Sequence, residues 1–140
     1  MAQRTLPVTP SLVETLVLAQ RRAVRGLAAR LADDGCSLDQ WRVLRALRDG
    51  EGHLMGELAG SLQIAQPTLT RVVDGLVDSA WVYRRPSLAD RRRVAVHLSP
   101  RGGDRLARLD AIMEAHEAAL RTSPDWADLQ TLISGLSRTS

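Results

Sequence analysis

The sequence predicts a mainly α-helical protein with one small β-hairpin, in the order α-α-α-α-β-β-α-α. Apolar residues recur at intervals of three and four over most of the 140 residues, which is the period of an amphipathic helix. Strand-like segments occur only within residues 81–98. Ser, Pro and Gly mark the boundaries between segments, and the length fits one domain, 1–140.

The first helix is predicted from about Ser11 to Asp33. Ser11 and Glu14 form a capping-box pattern just after Pro10, and Gly35 permits the left-handed residue that ends the helix. Its apolar stripe consists of Leu12, Leu16, Ala19, Ala23, Leu27 and Leu31. This stripe is long for an exposed helix on a small domain, so we expect a partner subunit to cover it.

The next three helices end in a helix-turn-helix pattern. The second opens with a capping box at Ser37 and Gln40 and stops at Gly50 and Gly52. A short helix, about 55–62, is followed by the turn 63–65 and a longer helix, about 66–79, with Pro67 in its first turn. The outer face of the longer helix consists of Pro67, Thr70, Arg71, Asp74 and Asp78. Two helices joined by a short turn, the second with a polar outer face, are typical of DNA-binding proteins.

A basic hairpin follows. Trp81, Val82 and Tyr83 begin its first strand, and Val94, Val96 and Leu98 alternate with other residues in its second. The loop between the strands contains Pro86, Ser87 and Asp90. The hairpin carries Arg84, Arg85, Arg91, Arg92 and Arg93. One carboxylate cannot balance five guanidinium groups, so the tip favours a polyanion, and arginine suits phosphate and narrow grooves.

Two more helices complete the chain. Ser99 caps the first, with Pro100 at its first position, and Ser123 with Pro124 repeats that signal before the last helix. The apolar residues of the last helix are Trp126, Leu129, Leu132, Ile133 and Leu136.

The composition favours an acidic partner only weakly. The net charge is +3 and the pI is about 10.3. All 19 basic residues are Arg, and Lys, Asn and Phe are absent, which a GC-rich genome explains in part. A GC-rich genome does not explain why the arginines cluster between residues 84 and 105.

The cysteine content and the lack of long apolar runs predict where in the cell the protein is located. Cys36 is the only cysteine, so no intramolecular disulfide forms and a reducing compartment is expected. No signal-peptide or membrane-spanning run is present, so we expect a cytoplasmic protein without a membrane partner.

Cys36 is either inert or a redox sensor; the neighbouring Asp33 and Asp34 disfavour a thiolate. The three histidines lack metal-ligand spacing and no catalytic or nucleotide-binding motif occurs, so we expect no enzyme activity, metal or cofactor.

The chain resembles MarR-type transcriptional regulators from about Ser11 to Leu136. The most specific motif is Asp90-x-Arg92-x-x-x-Val96-x-Leu98-Ser99-x-x-Gly102, in which the family usually has Thr at the position of Ser99. Similar stretches are 38–44, 57–59 and 66–76. Two positions depart from the family pattern: Ala65 replaces a capping residue before the recognition helix, and Ala80 stands where Gly is common before the hairpin.

The resemblance implies a winged helix-turn-helix lobe, about 37–98, and a helical dimerisation region, about 11–33 and 100–137. Helix 66–79 would enter a major groove and the hairpin, or wing, the adjacent minor groove of a pseudo-palindromic operator. Arg92 would be the minor-groove finger, with its guanidinium oriented by Asp90. The residues expected to contact DNA are Gln66, Pro67, Thr68, Thr70, Arg71, Arg84, Arg85, Asp90, Arg91, Arg92 and Arg93.

In relatives, small aromatic effectors bind between the dimerisation helices and the lobe. Here such a crevice would be lined by Leu16, Trp41, Arg45 and Met113, although core packing is the competing interpretation of the apolar ones. The leading hypothesis is a homodimeric repressor released by an effector. The alternatives are an effector-independent DNA-binding protein and a degenerate winged helix used for protein interaction.

Overall fold

The computed structural model describes residues 11–122, 124 and 126–138. The helices in this part of the chain are α1 Leu12–Asp33, α2 Leu38–Ala46, α3 Met55–Leu62, α4 Gln66–Asp78, α5 Pro100–Leu120 and α6 Trp126–Ser137. The strands are β1 His53–Leu54, β2 Val82–Pro86 and β3 Val94–Leu98. The predicted fold class is confirmed. No helix among the described residues is both long enough and apolar enough to span a bilayer.

The wing is a three-stranded antiparallel sheet in the order β1-β3-β2, so the predicted two-stranded hairpin was incomplete. His53 pairs with Val96 and Leu54 with Ala95. A strand of two residues is too short to show a period, and only its pairing with β3 defines it. Pro86, predicted in the loop, closes β2 opposite Val94.

The helix starts follow the capping signals in the sequence. The Ser11 hydroxyl accepts a hydrogen bond from the Glu14 N–H, and Ser37 and Gln40 form both bonds of a capping box. The Ser99 hydroxyl accepts from the Gly102 N–H at 2.9 Å. The proposed cap at Ser123 and the position of Pro10 lie outside the described residues.

One hydrophobic core is shared by α1, α2, α3, α4, α5 and the strands β2 and β3. Its fully buried side chains include Leu31, Leu44, Leu69, Leu109 and Val96. Each such side chain contributes roughly 1.5–3 kcal/mol through burial. By contrast, the beginning of α1 and the length of α6 leave large apolar side chains exposed: Leu12, Val13, Val17, Leu18, Leu129, Leu132, Ile133 and Leu136.

The junction between α4 and the wing is tightly built. Ala80 adopts a left-handed backbone with φ of 60°, and the N–H groups of Ala80 and Trp81 close α4 by bonding to the carbonyls of Val77 and Leu76. The first turn of α5 packs directly on this junction, because a Cβ atom at Gly102 would lie 1.9 Å from the Trp81 carbonyl oxygen. Only glycine fits there.

Candidate nucleic-acid interface

Helix α4 presents the predicted polar face to solvent. Gln66, Pro67, Thr70 and Arg71 are exposed and Thr68 is half-buried, whereas Leu69, Val73 and Leu76 on the opposite side are fully buried. The Thr70 hydroxyl donates to the Gln66 carbonyl oxygen at 3.0 Å. Its oxygen therefore remains free to accept from a ligand.

The start of α4 has no side-chain cap. Ala65 occupies the N-cap position and offers no acceptor, in line with the departure noted in the sequence. Pro67 removes one of the N–H groups that the first turn would otherwise leave unpaired.

The wing tip is held by backbone bonds that project its arginines outward. The Ser87 N–H donates to the Arg93 carbonyl oxygen at 2.8 Å, and the Arg93 N–H donates to the Asp90 carbonyl oxygen at 3.0 Å. The Asp90 carboxylate accepts from the backbone N–H of Arg92 at 3.0 Å. Asp90 therefore fixes the backbone of Arg92 rather than its guanidinium, which differs from the expected contact. Arg91, Arg92 and Arg93 are exposed.

The two arginines of β2 have different surroundings. Arg85 is exposed and its guanidinium lies 5.3 Å from the centre of the Tyr83 ring, which in turn stacks on His97. Arg84 extends from the opposite face of the sheet and forms an ion pair with Asp74 of α4. Tyr83 and His97 were not among the residues predicted for this surface; the period of β2 alone did not show that their rings meet across the strands.

A groove runs between α2 and α4 beside the polar face. It has a volume of about 260 Å³ and is lined by Ser37, Gln40, Thr68, Arg71 and Val72. The structure thus brings the two predicted contacts Thr68 and Arg71 together with the first turn of α2. In the sequence, the capping-box pattern gave Ser37 and Gln40 only the role of starting α2.

A second cavity lies where α2 and α3 meet. It has a volume of about 400 Å³ and is lined by Trp41, Arg42, Arg45, Ala46 and Leu62. The Arg45 guanidinium lies 5.2 Å from the centre of the Trp41 ring, and the Trp41 indole N–H donates to Asp110 at 3.0 Å. Of the predicted effector residues, the structure brings Trp41 and Arg45 together here.

The other two predicted effector residues lie elsewhere. Leu16 belongs to α1 and Met113 to α5, and neither lines this cavity. Met113 is partly buried against the hydrophobic core, which agrees with the competing interpretation.

Cys36 is buried, with 3% of its surface exposed. Burial is the main cause that raises the pKa of its thiol from 9.0 to about 11. Arg105 and the Trp41 N–H oppose this rise, while the charge of Asp34 adds to it. A protonated, buried thiol is a poor nucleophile, which supports the inert interpretation.

The part of the chain that the structure describes holds no group of three or more His, Cys, Asp and Glu side chains arranged to bind a metal ion. His53 bonds to Asp49 at 2.7 Å, and His116 bonds to the Ala23 carbonyl oxygen at 3.1 Å. These two histidines therefore have structural partners.

Comparison with known proteins gives consistent similarities. The model of the MarR family matches residues 36–94. The uncharacterized HTH-type transcriptional regulator ML2140 of Mycobacterium leprae (strain TN) is 31% identical over 115 residues, which cover 82% of this chain and 73% of that protein. The uncharacterized HTH-type transcriptional regulator YpoP of Bacillus subtilis (strain 168) is 28% identical over 90 residues, which cover 64% of each protein and thus less than two thirds of YpoP.

The fold also matches solved structures. The transcriptional repressor CouR, bound to a 23-mer DNA duplex, superposes with a TM-score of 0.82 and 26% identity, over 91% of this chain and 90% of that chain.

Proposed function

Because the chain belongs to the MarR family, we propose that it is a sequence-specific, double-stranded DNA-binding transcriptional regulator that acts as a homodimeric repressor. The observation that carries this proposal is the joining of an exposed polar helix face and an arginine-rich wing in one lobe, residues 37–98. The similarity to a repressor bound to a DNA duplex supports it.

The two halves of this surface suit different grooves. Helix α4 would enter a major groove, where Arg71 can read guanine through two hydrogen bonds and Gln66, Thr68 and Thr70 can contact bases or phosphates. The wing would lie on the adjacent minor groove, with Arg92 as the finger, since a narrow minor groove attracts arginine. Arg85, Arg91 and Arg93 would contact phosphates.

The exposed apolar residues of α1 and α6 support a homodimer. Large apolar surfaces of this kind are costly in water and mark interfaces. We propose that residues 11–33 and 100–137 of two copies pack together, and that the two lobes then contact half-sites about one helical turn apart.

Release by a small aromatic effector is part of the proposal. The cavity beside Trp41 offers an aromatic ring and the guanidinium of Arg45, which suit a ring that carries an acidic group. A ligand would release DNA if it bound more tightly to a state whose lobes do not fit the half-sites.

Selection from a random library of 30-base-pair duplexes tests the DNA-binding function. The expected outcome is enrichment of a near-palindrome, bound by two copies of the chain in mass photometry. Equal, weak and strongly salt-dependent binding to every duplex would contradict it, because that behaviour reflects phosphate attraction alone. A thermal-shift screen with phenolic acids then separates the effector-released repressor from an effector-independent protein.

A further inference from the structure

Arg84 is placed differently from the four other arginines of the wing. It lies at the base of the wing, opposite Val96 in the strand pairing and on the same face as the buried Val82. This face of the sheet is turned towards α4. Among the described residues, Arg84 forms an ion pair with a carboxylate. Within the same part of the chain, the other arginines of the wing do not: Arg85, Arg91, Arg92 and Arg93.

The partner of Arg84 lies on the recognition helix itself. Asp74 is exposed on the polar side of α4, one turn after Thr70 and Arg71. An unpaired carboxylate there would repel the phosphates of a bound duplex. Pairing with Arg84 cancels that charge and at the same time ties β2 to α4.

We propose that Arg84 is a positioning residue: through Asp74 it fixes the angle between the wing and the recognition helix, and it does not contact DNA. This inference rests on the proposed function. It revises the prediction that Arg84 reaches phosphate, because its guanidinium is already paired with a carboxylate of the same chain.

The ion pair between Arg84 and Asp74 matters for the angle between the wing and α4 rather than for the stability of the fold. The side chains of Arg84 and Asp74 are 37% and 55% exposed, and an ion pair this exposed contributes little to folding stability. Simultaneous contact with a major and a minor groove, however, requires the helix and the wing to be held at a fixed relative angle. Loss of the pair should therefore reduce discrimination between sequences more than it reduces stability.

The two roles of Arg84 predict opposite effects of a change at Asp74. If Arg84 contacts phosphate, Asp74→Asn frees it and tightens binding. If Arg84 positions the wing, Asp74→Asn loosens the wing and lowers the preference for the correct sequence. The variant D74N/R84Q keeps the net charge of the parent and so separates geometry from charge.

The experiment measures fluorescence anisotropy with the full chain between 50 and 200 mM salt. The probes are the 30-base-pair duplex selected by the parent protein and a shuffled duplex of the same composition. We expect D74N, R84Q and D74N/R84Q each to lower the ratio of the two affinities by about tenfold, with the double variant no worse than either single one. The charge-reversed D74R/R84D should restore part of the ratio.

Arg85→Gln is the matched control. As a phosphate contact it should weaken binding to both duplexes and lower the salt slope by about one, whereas D74N/R84Q should leave the slope unchanged. A D74N variant whose ratio of affinities for the two duplexes equals or exceeds the parent's, or a salt slope for D74N/R84Q that falls as it does for R85Q, would overturn the inference. A parent protein that prefers no duplex would instead refute the proposed function. Melting temperatures confirm that each variant is folded.

Discussion

The Ser99 hydroxyl donates a hydrogen bond of 2.7 Å to the carbonyl oxygen of Ala80, 19 residues earlier in the chain. The same hydroxyl accepts from the Gly102 N–H and so caps α5. One side chain therefore connects the end of the recognition helix, the base of the wing and the start of α5. Both partners in this bond can be tested separately.

Ala80→Gly should stabilise the protein. Ala80 has a left-handed backbone, which costs a residue with a Cβ atom roughly 1–2 kcal/mol, whereas glycine adopts it freely. Part of that gain is offset by the greater freedom of glycine in the unfolded chain, so we expect a net gain of about 1 kcal/mol. Urea denaturation at fixed protein concentration measures it. The control Ala107→Gly, at an exposed position inside α5, should destabilise by a similar amount. A lower urea midpoint for Ala80→Gly would contradict the prediction.

Ser99→Ala should destabilise the folded chain by about 1–2 kcal/mol, because it removes the cap of α5 and leaves the Ala80 carbonyl without its donor. Ser99→Thr keeps the hydroxyl and should stay within about 0.5 kcal/mol of the parent. Urea midpoints of the two variants give the comparison. Equal losses for both would show that the hydroxyl is not the cause.

Arg92→Ala should weaken binding to the selected duplex by about 1–3 kcal/mol, since it removes the proposed minor-groove finger. Gel-shift titration at low salt measures the change. Arg121→Ala removes the same charge at the far end of α5, about 30 Å from the first residue of that helix, and should leave the affinity almost unchanged. An Arg92→Ala affinity equal to that of Arg121→Ala would exclude the finger role.

Leu132→Asp should dissociate the proposed dimer without unfolding the chain. Leu132 is 67% exposed on α6, so its replacement costs the isolated chain little, whereas a carboxylate buried between two copies costs several kcal/mol. Sedimentation velocity measures the monomer fraction. Leu88→Asp, at a wing-tip position that is 95% exposed, is the control and should remain dimeric. Identical sedimentation of both variants would place the interface elsewhere.

The stability should fall as pH rises from 9 to 11. The folded chain keeps the Cys36 proton to about pH 11 whereas the unfolded chain loses it near 9.0, so the folded state binds more protons in this window. The loss is at most about 1.4 kcal/mol per pH unit and is absent below pH 9. The free energy of unfolding of Cys36→Ala, measured by urea denaturation, should fall less steeply between pH 9 and 11 than that of the parent. The native thiol should also react slowly with a disulfide reagent at pH 8; fast reaction would revive a redox role.

Most of the fold follows from local signals, and the residues that deviate do so for non-local reasons. The capping positions Ser11, Ser37 and Ser99 were readable because a cap acts within one helical turn. Strand β1 could not be predicted, because two residues carry no period and its partner strand, β3, lies about 40 positions away in the sequence. The left-handed φ of Ala80 did not follow from alanine itself, which does not favour that conformation; the glycine common at this position in the family was the one sequence feature that marked it.

The candidate site shows the same division. Periodicity separated the exposed face of α4 from its buried face, and the arginine cluster identified the wing. The pairing of Arg84 with Asp74 depends on the packing of β2 against α4, and in the sequence Arg84 could not be distinguished from Arg85. Likewise, the cavity beside Trp41 excludes Leu16 and Met113 because of how the helices pack.

The contact between Gly102 and the Trp81 carbonyl has a mechanical consequence. Since not even a methyl group fits between them, we expect the first turn of α5 and the base of the wing to move together, as one rigid lever. The five residues of β2 give this lever an arm of roughly 17 Å. If β2 tilts by about 10° about Val82, its far end at Pro86 moves by about 3 Å. That displacement is close to one base-pair step along a duplex.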